Sequence, residues 1–259
     1  VVVPSVPGFG FSDRPRERGM TSVRVAEPWA RLMAELGYMR YGAAGGDLGS
    51  TVTQCLALEH PDAVAGIHLT DIGFYFPNAG APDLSEAEQA YVASIQQWWV
   101  QEGAYAMLHS TRPQTLACGL TDSPIGLAAW LVEKFRAWSD CDGDVERRFP
   151  RDDLLTHIML YWTTRTIGSS IRLYYEDAHG PQVMQAGQRI AVPAGFALFK
   201  DNPVPLPRAY AERHLDVRHG PRCPGAAISP RGRSRRPSPG TSARSSARSA
   251  ERHRSADGP

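Results

Sequence analysis

Strand-like and helix-like runs alternate over the first 69 residues, and that alternation limits the possible folds before any residue is given a role. Val1–Val3 is a β-branched run ended by Pro4 and predicts a buried strand. Pro7 to Asp13 predicts a loop. Val25, Trp29, Leu32, Met33 and Leu36 recur at helical spacing, and Gly37 stops the run. Tyr41 to Gly46 is short and rich in small residues, which fits a strand. Leu48 to His60 has helical character up to Pro61, and Val64–Leu69 predicts a further strand. Strand–helix–strand–helix–strand is the order of an α/β fold, a parallel sheet flanked by helices.

The stretch 74–188 departs from that order. It is rich in Trp and Tyr, and Glu86–Gln101, Ile125–Trp138 and Leu154–Tyr175 have helical period. A helical insertion of this size between sheet strands covers the face where a ligand binds. Strand character resumes at Arg189–Ala194, followed by a helix at Arg208–Arg213 and a strand start at Leu215–Val217. The expected organisation is a sheet domain in two parts, 1–73 and 189–219, a helical cap at 74–188, and a tail at 220–259.

Charge separates the tail from the rest. From Pro221 onward nine arginines face Glu251 and Asp257, a net of +7; the remaining 19 basic and 25 acidic residues give −6. The tail has no aromatic residue, and Ile228 is its only large aliphatic one, so it cannot bury enough surface to offset its ordering entropy. Without stacking residues, and beside an acidic body, its charge does not predict a nucleic-acid partner. No window approaches the roughly 20 apolar residues of a membrane span. Cys55, Cys118, Cys141 and Cys223 lack metal-ligand or disulfide-framework spacing. No metal or cofactor is expected, and the expected setting is reducing and cytoplasmic. The V-V-V-P opening has no basic segment and no Met, as if the chain began inside a domain.

The sharpest local feature is Gly45-Gly46-Asp47-Leu48-Gly49-Ser50, placed between a strand and a helix. G-x-D-x-G is the nucleophile-elbow pattern with a carboxylate at the usual serine position. Small flanking residues permit the tight turn, and the helix N-terminus presents backbone N–H groups. An aspartate there, with an ordinary pKa near ~3.9, attacks without a base. The same residues also suit a plain N-cap between turn glycines.

Together with V-V-V-P-S-V-P-G-F-G-F-S, L-G-Y, D-S-P-I-G-L-A-A-W-L-V-E-K-F at Asp122–Phe135 and Y-W-T-T-R-T-I-G-S-S-I-R-L-Y-Y-E at Tyr161–Glu176, this segment closely resembles the epoxide hydrolases of the α/β-hydrolase fold, the microsomal type in particular. The resemblance runs from Val1 to about His219. It implies that Asp47 opens an epoxide through an alkyl-enzyme ester, giving a vicinal diol. Tyr174, in R-L-Y-Y-E, and Tyr105, in E-G-A-Y-A-M-L, would hydrogen-bond and protonate the oxide oxygen; Tyr175 is the adjacent alternative to Tyr174. The backbone N–H of Leu48 would serve the oxyanion, with a second N–H from an H-G-x-P loop that lies before Val1 in the family order. The acid of the charge relay falls on Asp201 or, by strict counting, on Asn202. The cap tryptophans Trp98, Trp99, Trp130, Trp138 and Trp162 suit a small apolar epoxide, with water as co-substrate.

The resemblance also requires a histidine in W-T-E-M-P-x-G-G-H-F-A-A, and the chain instead continues G-P-R-C-P-G-A-A-I-S-P after His219. One added base ahead of the Gly220 codon lets a plausible GC-rich coding sequence read W-T-E-M-P-R-G-G-H-F-A-A. The tail is therefore expected to be a one-base frameshift product, with the histidine codon straddling Ala227 and Ile228 and turnover impaired. His60, His68, His109, His157 and His179 read as core or surface residues, and His214 and His219 lie upstream of the lost motif. Two other readings stay open. One is a non-catalytic binding protein of the same fold. The other is a haloalkane dehalogenase, which also uses an elbow aspartate but places Trp where Leu48 stands.

Overall fold

The computed structural model describes residues 1–72, 79–181, 184, 187–199, 206–220 and 222–223. All of them lie in the first of the chain's two units, Val1–Ser229. The tail beyond Cys223, with Asp201 and Asn202, lies outside the described residues.

Four strands make one parallel sheet: β1 (Tyr41–Gly45), β2 (Val64–Leu69), β3 (Ile190–Phe196) and, after the two-residue β4 (Leu198–Phe199), β5 (Leu215–His219), in the order β1-β2-β3-β5. β4 pairs in parallel with the short β6 (Arg222–Cys223). The ladder sets Gly45 opposite Leu69 and Leu69 opposite Phe196, so the carboxyl ends of three strands finish level. Pro193 has no N–H for the ladder, and the β3–β5 register shifts beside it.

α2 (Leu48–Glu59) packs on the sheet, and α1 (Ser22–Glu35) packs on α2. The Thr21 side chain caps α1 by accepting from the Arg24 N–H. α2 is buried along eight consecutive residues from Ser50 to Ala57, because its neighbours include the sheet and α1. Val25, Val52, Leu69, Ile190, Phe196 and Leu215 form the heart of this core.

Among the described residues six α-helices stand between β2 and β3: α3 (Glu86–Glu102), α4 (Ala104–Thr111), α5 (Pro113–Asp122), α6 (Pro124–Ala137), α7 (Arg151–Thr164) and α8 (Ile167–His179). They carry a second core of Ala117, Leu120, Leu127, Ile158, Ile167 and Ile171. Ser85 and Glu88 form a reciprocal capping box at α3. α8 is tied to the start of α1 and to the segment before it: the Asp177 carboxylate accepts from the Ser22 N–H and hydroxyl, each at 2.6 Å, and Ser169 Oγ donates to the Gly8 carbonyl at 2.6 Å. No single helix among the described residues is long and apolar enough to cross a membrane.

Two expectations need correction. Val1–Val3 is not a strand; it has no partner in the sheet, and Val1 and Val3 are exposed. β-propensity without a neighbouring strand does not make a ladder. Leu154–Tyr175 is not one helix either. Arg165 adopts a left-handed conformation at φ 53°, which closes α7, and Ile167 starts α8.

Among the described residues β1 pairs only with β2, which leaves its other edge open, and Leu36, Tyr38 and Met39, just before β1 in sequence, are exposed. Open strand edges with apolar neighbours recruit other chains. The protein is therefore expected to self-associate at micromolar concentration in sedimentation velocity. A purely monomeric profile with a cooperative melt would contradict this.

Candidate active site

Asp47 occupies the turn from β1 into α2 at φ 55°, ψ −128°. A non-glycine residue there is strained by about 1–3 kcal/mol, so its surroundings must hold it. Gly45 makes the turn possible: a Cβ at that position would collide with the Gly49 carbonyl. Gly46 is confined by the Thr70 hydroxyl, whereas Gly49 faces open space. The two outer glycines of the pattern are thus not equivalent.

Hydrogen bonds fix the turn on both sides. The Leu48 N–H donates to Asp47 Oδ1 at 2.6 Å. The Asp47 N–H donates to Asp71 Oδ2 at 2.8 Å, and the Thr70 hydroxyl donates to the same oxygen at 3.0 Å. The sheet register accounts for this pairing. Gly45 and Leu69 are opposite, and Asp47 and Asp71 each lie two residues beyond them. Sequence reasoning passed over Asp71; an acidic residue just past the strand beside the elbow strand was the available signal.

Burial raises the Asp47 carboxyl from 3.8 to about 6, the Asp71 charge adds to the rise, and the Leu48 N–H opposes it. The carboxylate is thus less acidic than its sequence suggests, yet about nine-tenths ionised at pH 7.

The cap sets a cavity of about 440 Å³ over the elbow, and Asp47, Tyr105, Tyr161, Tyr174 and His109 all line it. Tyr105 comes from the first turn of α4 and Tyr174 from α8; their rings meet edge to face with centroids 6.0 Å apart. Burial raises the pKa of both phenols well above the ordinary value, and the negative Asp47 raises them further. Both therefore stay protonated. A hydrogen bond between them favours the anion of Tyr105 and the hydroxyl of Tyr174. Burial and Asp47 raise Tyr161 in the same direction. Lys134 also reaches the cavity, bound to Glu133 at 2.9 Å and Glu102 at 3.2 Å and lying 5.0 Å from the Trp138 ring.

The structure thus brings Asp47, Leu48, Tyr105 and Tyr174 to one place. Tyr175 is not among the cavity residues and stacks on His179 at 4.1 Å. Trp130 and Trp138 line the cavity; Trp98 packs behind Trp138, and Trp162 packs in the cap core. His219 closes β5 and is exposed, and His214 is buried in the sheet domain. His109 is in the cavity wall, a position its sequence context did not reveal. Among the described residues no three His, Cys, Asp or Glu side chains are grouped to hold a metal ion.

Residues 1–160 match the family profile of the alpha/beta hydrolase fold. A Stigmatella aurantiaca protein that carries an epoxide hydrolase name is 42% identical over 214 residues, covering 82% of this chain and 48% of that one. Epoxide hydrolase 1 of Sus scrofa is 34% identical over 236 residues, 82% of this chain and 52% of the relative. The Aspergillus niger epoxide hydrolase structure superposes with a TM-score of 0.72 at 30% identity, covering 87% of this chain and 57% of the other. The chain spans about half the length of the curated relatives it matches.

Two substitutions separate the parts of the elbow. Gly45→Ala should cost several kcal/mol in chemical denaturation, while Gly49→Ala should be neutral or stabilise by ~0.5–1 kcal/mol. Equal effects would contradict the geometry. Asp71→Asn removes a negative charge beside Asp47, so the Asp47 carboxyl should titrate lower than in the parent protein; an unchanged or higher titration would contradict the pairing.

Proposed function

The chain belongs to the α/β-hydrolase fold family and is similar to its epoxide hydrolases, and from that premise we propose that Asp47 opens an epoxide through a covalent ester. The observation that carries this reading is an ionisable carboxylate at a strained elbow, facing two protonated phenols across a cap cavity.

The Leu48 N–H holds Asp47 Oδ1, which leaves Oδ2 to attack an epoxide carbon from the side opposite its C–O bond. As the C–O bond breaks, its electron pair collects on the oxide oxygen. Tyr174 or Tyr105 donates a proton to it, giving a hydroxyl, and the phenolate later regains its proton from solvent. A neutral phenol donates only as the alkoxide develops, which is the differential interaction that catalysis needs. Trp130, Trp138 and Leu131 supply an apolar wall for the substrate carbon skeleton.

Hydrolysis of the ester requires a base to activate water against the Asp47 carbonyl carbon, with the oxyanion on Leu48 N–H. By family resemblance the acid that would orient such a base falls on Asp201 or, by strict counting, on the position of Asn202. The sequence after His219 does not carry the family's histidine motif, which supports a stalled second step and a frameshifted tail.

Incubation with styrene oxide followed by peptide mass spectrometry tests both halves. The expected result is a mass increment of one epoxide on Asp47 that persists for hours, with none in Asp47→Asn. Absence of an adduct, without diol formation, would overturn the proposed chemistry; steady diol release would overturn the stalled step alone. The labelling rate should fall about tenfold per pH unit below about 6, where the Asp47 carboxylate gains its proton. A rate flat to pH 4 would contradict attack by that group.

A further inference from the structure

His109 lies one turn beyond Tyr105 on α4, so both side chains leave the same helix face toward the cavity. The imidazole is only 5% exposed, and neither Nδ1 nor Nε2 has a hydrogen-bond partner. Its neighbours are aromatic: Tyr174 with ring centroids 4.8 Å apart, Tyr105 at 5.5 Å and Trp130 at 5.9 Å. Burial lowers its pKa to about 4, so the ring is neutral at physiological pH and offers one N–H donor and one acceptor nitrogen.

A buried polar group without a partner destabilises a fold by about 1–3 kcal/mol, and histidines enclosed in cores are normally bonded. His109 differs in having both nitrogens unpaired while lining a cavity large enough for a ligand. The Asp47 carboxylate that also lines the cavity is already bound by the Leu48 N–H through Oδ1. Among the described residues nothing hydrogen-bonds to the imidazole. The rings that pack against it are Tyr105 and Tyr174, edge to face, and the tilted Trp130.

We propose that His109 is a substrate-contacting residue that hydrogen-bonds a polar substituent of the epoxide. The preferred substrate is then a largely apolar epoxide carrying one ether, carbonyl or hydroxyl group, not a bare hydrocarbon epoxide. This rests on the proposed reaction at Asp47 and narrows its substrate class. It also gives His109 a role that does not involve the proton transfers of the tyrosines.

Phenyl glycidyl ether and 1,2-epoxy-4-phenylbutane form a matched pair, differing by an ether oxygen in place of a methylene. Rates of Asp47 labelling by the two, read by mass spectrometry, give a preference for each protein. Relative to the parent, His109→Phe should lower the ether preference about tenfold, the value of one hydrogen bond of ~1.4 kcal/mol. His109→Gln should keep it within about threefold, because an amide also donates and accepts. The same preference in all three proteins would overturn the proposal while leaving the Asp47 chemistry standing. Failure of both epoxides to label the parent protein would overturn the Asp47 reaction and this proposal with it. Imidazole 15N shifts of His109 in the Asp47→Asn protein give a measurement independent of the His109 variants. A shift of one ring nitrogen with the ether, absent with the all-carbon epoxide, is expected; identical spectra with both would overturn the proposal.

Discussion

The turn between β1 and α2 holds an aspartate at φ 55°, and that torsion survives because neighbours on two sides bind it. Asp71, from the adjacent strand end, accepts the Asp47 N–H, and the first N–H of α2 is bound by the Asp47 carboxylate itself. Gly45 leaves room for the following chain to come back beneath the turn. Without these three conditions the side chain would not stand under the cap cavity, and the phenols of α4 and α8 would face no carboxylate.

The arrangement has an electrostatic cost that follows from its use. Asp47 binds its proton more tightly in the folded protein than in an unfolded chain, where the ordinary value of 3.8 applies. Folding therefore takes up protons between pH 3.8 and about 6, and stability falls as pH rises through that window. The loss is on the order of 3 kcal/mol at neutral pH, small beside the burial of two cores but confined to one residue. The phenols are shifted in the same direction: burial and the Asp47 charge keep them as acids at every physiological pH. An ionised carboxylate and neutral phenols thus share one desolvated space, in which the Asp47 charge makes the phenols' protonated state more secure.

How much was legible follows from what each feature depends on. α1, α2 and β2 are local patterns with visible stops at Gly37 and Pro61, and they fall within a residue or two of expectation. The α7–α8 break depends on one left-handed arginine without a glycine or proline to mark it, so period alone ran the two helices together. Val1–Val3 has strand composition but no partner, a fact no local pattern contains. At the site, Asp47 stood out because its glycines did, and Tyr105 and Tyr174 entered through family resemblance. Asp71 and His109 act through contacts 24 residues away and across helices respectively, which spacing does not encode. The tail is a different case: its charge and composition mark where the recognisable sequence stops, well before any contact is considered.

The central claim is that Asp47 is a poised nucleophile, strained, largely desolvated and still ionised at neutral pH. A titration of its side-chain carboxyl by 13C NMR, assigned through Asp47→Asn, measures this directly. The account predicts a midpoint near 6, about two units above an ordinary aspartate. A midpoint near 3.8 would show a solvated carboxylate at an ordinary helix cap and would contradict the account.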